Sequence, residues 1–130
     1  MSVRILTAVA GLLLALLVCG RAGAETDGTL YEAQAIVTGQ REPERTRALP
    51  GCFLDVLVKV SGEPRLIGDR RLLPLQAKTA DFVESFRYHD RMAGMPVHDE
   101  QGTRDRPYDL IVRFDVGKID AALDSLGLKP

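Results

Sequence analysis

Residues 108–114 read YDLIVRF, and the alternation in that stretch decides the fold class. Tyr108, Leu110, Val112 and Phe114 fall on one side of an extended chain. Asp109, Ile111 and Arg113 fall on the other. A two-residue period in β-branched and aromatic side chains marks a strand with one face against an apolar layer. Asp115 follows directly and is suited to cap a helix over residues 116–126. Val116, Ile119, Ala122, Leu123 and Leu126 recur there at three- and four-residue steps, and Gly127 supplies a stop.

Working back toward the N-terminus, residues 93–107 are polar and rich in turn formers (Gly94, Pro96, Gly102, Pro107), which predicts an exposed loop. FRYHDR at 86–91 alternates and predicts a short strand. Before it, Leu72, Leu75, Thr79, Phe82, Val83 and Phe86 predict a helix that starts after Asp69 and reaches about Ser85. Residues 63–69 read as a loop. A longer helix is predicted over 41–61, where Ala48, Leu49, Cys52, Phe53, Val56, Leu57 and Val60 form one broad stripe. Pro50 conflicts with it, because an interior proline loses a hydrogen bond and crowds the preceding turn. A kink or break is therefore expected near residues 47–50. LYEAQAIVT at 30–38 predicts the first strand, with Tyr31, Ala33, Ala35 and Val37 facing inward; Leu30 and Ile36 blur its polar face.

The order is β-α-α-β-β-α. It implies an α+β fold: a two-layer sandwich of about three mostly antiparallel strands packed by two to three helices on one face.

Arg4, the apolar run from Ile5 to Val18 and the small residues Ala22-Gly23-Ala24 make up a three-part export signal, predicted to be cleaved after residue 24. The run is shorter than the roughly 20 residues a membrane span needs, so no stable span is expected after cleavage. Residues 25–130 are then a single α+β domain in the periplasm. Cys19 ends the apolar run, but lipid attachment usually wants Gly, Ala or Ser before the cysteine, and Val18 stands there. Cys52 is left as the one thiol of the mature chain, which excludes an internal disulfide. Its place on the helical stripe makes it a core residue rather than a reactive one.

The chain carries 17 Lys and Arg against 18 Asp and Glu. The first 24 residues take away Arg4 and Arg21 and no acid, so the rest is mildly acidic. That balance offers no field for nucleic acid, and the absence of Trp and scarcity of aromatics argue against base stacking.

Four segments together resemble a family of uncharacterised bacterial envelope proteins, domain of unknown function 2066. They are LYEAQAIV at 30–37, DVLVKVSG at 55–62, FVESFRY at 82–88 and YDLIVRFDVGKIDAALDSLGLKP at 108–130. The loop HDEQGTRDRPYDL at 98–110 looks like the alphaproteobacterial version. The resemblance implies an envelope setting and no activity.

Chemical leads are thin. His98, Asp99 and Glu100, with His89 and Asp90 if the strand folds back, hold metal-ligating types, but adjacent residues on an extended chain point apart. Asp99, Glu100, Asp105 and Asp109 interleave with Arg104 and Arg106 as mixed surface charge. Ser61 lacks a nucleophile-elbow context, Ser85 has no spaced base, and Gly62 and Gly68 flank an ordinary turn. Arg41, Arg45 and Arg47, with Arg70 and Arg71, form a basic cluster that Glu42 and Glu44 partly neutralise. No catalytic, cofactor-binding or metal-ligating residue is assigned, and no cofactor. What the sequence does offer is a small sheet with edges rich in Ile, Val and Leu, open to strand addition. The expected function is a non-catalytic periplasmic interaction module whose partner is another envelope protein. The alternatives are a small hydrolase or metal-binding protein using the 98–108 loop, with His89, His98 and Asp99 lining a pocket, or a carrier of an apolar ligand held between helices and sheet.

Overall fold

The computed structural model describes residues 28–95 and 106–130. The export signal predicted at 1–24 and residues 96–105 of the predicted loop lie outside the described residues. The strands are β1 (Glu32–Thr38), β2 (Val83–Asp90) and β3 (Pro107–Phe114). The helices include α1 (Glu42–Ser61), the one-turn α2 (Leu73–Gln76) and α3 (Val116–Ser125). The sheet order is β1-β3-β2, and both pairings are antiparallel. This is the expected α+β class, with helices on one face of an open sheet.

YDLIVRF becomes the central strand, and its alternation is realised. Leu110, Val112 and Phe114 are fully buried, while Asp109, Ile111 and Arg113 stay partly exposed on the other face. The register sets Ala33 opposite Val112 and Val37 opposite Tyr108, so β1 adds its inward residues to the same layer. Leu49, Phe53, Val56 and Leu57 from α1 and Ile119 and Leu123 from α3 complete the core. Phe53 is its hub: its ring lies 4.8 Å from that of Phe82 and 6.0 Å from that of Phe114.

Of the kink or break expected near Pro50, the break does not occur: α1 continues through the proline. An interior proline costs about 3 kcal/mol. Leu49 and Phe53, buried on either side of it, contribute roughly 1.5–3 kcal/mol each when they leave water. Packing on both flanks outweighs the local defect. Glu42 and Glu44 at the start and Lys59 at the end suit the helix dipole. Gly62 closes the helix in the left-handed region (φ 68°), its N–H donating to the Val58 carbonyl.

The helix predicted from Asp69 to Ser85 is a correction. That stretch is a 3₁₀ turn (Arg70–Leu72), the single turn α2, a second 3₁₀ turn (Thr79–Phe82) and then β2, which begins at Val83 rather than Phe86. Tight turns repeat every three residues, so Leu72, Leu75, Thr79 and Phe82 fall on one side and imitate a helical stripe. Thr79 is buried and donates to the Gln76 carbonyl at 2.7 Å, which helps turn the chain toward the sheet. Asp69 does cap, accepting from Arg71 N–H at 2.9 Å. Residues 63–69, predicted as loop, include a further 3₁₀ turn at Pro64–Leu66. Asp115 caps α3 as predicted, accepting from Lys118 N–H at 2.9 Å.

Candidate functional site

The helix-free face of the sheet gathers polar side chains from all three strands. Cross-strand pairing places Glu32, Arg113 and Ser85 in one row, Gln34, Ile111 and Arg87 in the next, and Ile36, Asp109 and His89 in a third. Glu32 ties the sheet together. It accepts from Arg113 on the neighbouring strand at 2.9 Å and from Arg87 two strands away at 3.2 Å. The Arg87 hydrogen bonds, joined by those of Arg113, hold the Glu32 carboxyl below the usual carboxylate range, against the opposing effect of burial. In the third row Asp109 lies 3.4 Å from His89 Nδ1 and 3.6 Å from Arg91 Nε. Among the described residues no helix covers this face. At its β1 edge Ile36 is 63% exposed.

Among the described residues, shallow grooves border the layers. One of about 380 Å³ runs between the outer side of β1 and the first half of α1, lined by Ile36, Val37, Thr38, Glu44, Arg47 and Ala48. One of about 520 Å³ lies between α1 and the start of β2. A third of about 430 Å³, lined mainly by Leu75, Phe82 and Ala122, flanks α3. The space between α1 and the sheet, where an apolar ligand was considered, is filled by Phe53, Leu57, Leu110 and Phe114.

The individual leads separate in space. His89 and Asp90 point to opposite faces: His89 meets Asp109 on the open side, whereas Asp90 pairs with Arg106 at 3.4 Å and accepts from Met92 N–H at 2.8 Å. His98, Asp99, Glu100, Arg104 and Asp105 lie outside the described residues. Among the described residues no three His, Cys, Asp or Glu side chains converge on a metal position. Ser61 is occupied at the helix end, donating to the Leu57 carbonyl and accepting from Glu63 N–H. Ser85 stands opposite Arg113 on the open face.

Cys52 is buried, and burial, reinforced by Asp55, pushes its thiol up to about 11. It stays protonated and packs as a small apolar residue. The arginines disperse too. Arg45 sits 4.2 Å over the Phe86 ring and donates to the Tyr88 hydroxyl, Arg41 lies 3.6 Å from Glu44, and Arg71 pairs with Asp69 at 2.7 Å. Among the described residues no helix is long and apolar enough to cross a membrane.

The Glu32–Arg113–Arg87 bridge escaped sequence reasoning. The outward positions of the charges were legible, but the strand order that brings them together was not. Ile36 did leave a signal, as the apolar residue that spoils the alternation of β1.

Neither a search of curated proteins nor one of solved structures finds a match. A family without an assigned activity was expected, and one is found. Over residues 24–130, which include the whole described two-layer domain and its open sheet, the chain belongs to the family described as Domain of unknown function (DUF8605).

Proposed function

We propose that this chain is an exported, non-catalytic interaction module of a bacterial cell envelope, and that it meets another envelope protein through the open side of its sheet. The observation that carries this reading is the one-sided sheet. Helices cover one face, and the other spreads charged groups and exposed isoleucine over three strands without drawing them into a pocket. Catalysis needs acid, base and nucleophile within hydrogen-bond reach of one reacting atom. Among the described residues of the open face, Glu32, Arg87, Arg113, His89, Asp109 and Arg91 are engaged in flat, paired contacts instead. Arg4, the apolar run to Val18 and Ala22-Gly23-Ala24 support export, as does a family match that leaves the first 23 residues outside it. The likeness of four segments to domain of unknown function 2066 supports the envelope setting.

The test places a photo-crosslinking amino acid at Ile111 or Ser85 on the open face, and at Asp124 on α3 as control, in cells producing the full chain. The reading expects adducts with a second envelope protein from the two sheet positions and none from position 124. It also expects a periplasmic product shortened at its N-terminus. Equal yields from sheet and helix positions, or a cytosolic product that retains Met1, would overturn it.

A further inference from the structure

We infer that the β1 edge pairs with the β1 edge of a second copy of this chain, joining two three-stranded sheets into one of six strands. The inference goes beyond the envelope partner proposed above, since it concerns an edge rather than the open face.

The two edges of the sheet differ. Strand β2 carries Glu84, Arg87, His89 and Asp90, and its register slips between Val83 and Ser85. Charge and irregularity of this kind keep an edge from accepting another strand. From Gln34 to Thr38, β1 reads QAIVT: uncharged, regular in register and free of proline. Among the described residues nothing pairs with it on that side.

The backbone fixes which groups are on offer. The Tyr31 carbonyl accepts from Phe114 N–H at 2.9 Å, and Gly39 N–H donates to the Arg106 carbonyl at 2.8 Å. Both point at β3. Antiparallel strands alternate, so Ala33, Ala35 and Val37 also bond to β3, and Glu32, Gln34, Ile36 and Thr38 turn theirs to the open edge. The Glu32 carbonyl is already taken by Lys59 Nζ, which also reaches the Thr29 carbonyl. Gln34, Ile36 and Thr38 remain.

A two-fold axis through Ile36 uses those three residues and no others. Gln34 faces the second copy's Thr38, Ile36 faces the second copy's Ile36, and each facing pair exchanges two hydrogen bonds. The isoleucines, 63% exposed in one copy, then cover each other on the otherwise polar face. No charge from either strand meets its like across the axis. On the helix side, the groove beside Ile36–Thr38 is walled by one acid, Glu44, which lies 3.6 Å from Arg41 of the same copy, and one base, Arg47. One Glu44 carboxylate oxygen in that wall is buried without a hydrogen-bond partner.

The test is sedimentation of the full chain, purified as the expressing cell processes it, from about 1 µM to 1 mM. The contact is small for a stable dimer, so a weak, concentration-dependent one is expected. Ile36→Lys places like charges on the axis and is expected to weaken association about fivefold with an unchanged circular-dichroism melt, since the site is exposed in one copy. In a Cys19→Ala background, Ile36→Cys is expected to form a symmetric disulfide under mild oxidation, because facing residues of a bonded pair sit about 5.5 Å apart at Cα, within disulfide reach. Exposed Arg70→Cys is the control. A monomer at every concentration, a dimer that Ile36→Lys leaves unweakened, or crosslinking as fast at position 70 as at 36 would overturn the inference. Adducts from Ile111 report on the envelope partner separately, so the two readings fail independently.

Discussion

The two faces of the central strand invite comparison, because one heptapeptide builds both. On the helix side Leu110, Val112 and Phe114 are fully buried; one residue along each time, Asp109, Ile111 and Arg113 face outward in contacts open to water. The covered face is held by dispersion and by removal of apolar surface from water, which add up quickly. The open face is held by screened ion pairs, each of small net value. Stability therefore resides on one side of the sheet, and the other side can vary or bind without threatening the fold.

Substitutions on the two faces should separate accordingly. The strongest effect is expected from Phe53→Ala, which removes the ring between Phe82 and Phe114 and leaves a void; about 3–5 kcal/mol of stability should vanish in urea unfolding. A loss under 1 kcal/mol would mean that the core is not where it is described. Next, Tyr31→Phe deletes the hydroxyl that donates to Asp120 at 2.8 Å, tying the approach to β1 to α3. A loss of roughly 1.5 kcal/mol is expected, since the acceptor is a carboxylate.

On the open face, Glu32→Gln should cost about 1 kcal/mol or less at neutral pH, because Arg87 and Arg113 are both partly exposed. Its pH dependence sharpens the point. The folded-state pKa of Glu32 is depressed, so its contribution is fully present above the unfolded value near ~4.3 and is lost as pH falls through the folded value. Denaturation curves of wild type and Glu32→Gln should converge with acidification; a gap that widens would contradict the bridge. Smallest of all, Ile36→Ser should shift stability by no more than ~0.5 kcal/mol at dilute concentration, as expected of an exposed site.

How much of this was legible in advance follows from the range of each interaction. The alternation of YDLIVRF and the stripe of Leu49, Phe53, Val56 and Leu57 are local patterns with one burial solution, and both were read correctly. Residues 69–85 were misread because consecutive tight turns share the spacing of a helix over three or four steps. Pro50 does not break its helix, since its cost is local and visible whereas the burial that offsets it comes from distant strands. The open face was least legible. Glu32, Arg87 and Arg113 lie far apart in the chain and meet only once β3 lies between β1 and β2, an order that no local pattern encodes. The same holds for the edge: which amides of β1 face outward depends on its register with β3.

Amide hydrogen exchange along β1, followed as the full chain is concentrated, tests the division between a structural side and an associating side most directly. Ala33, Ala35 and Val37 should be protected at every concentration. Gln34, Ile36 and Thr38 should exchange quickly when dilute and gain at least tenfold protection when concentrated. Uniform exchange along the strand, or alternation that never responds to concentration, would contradict the account.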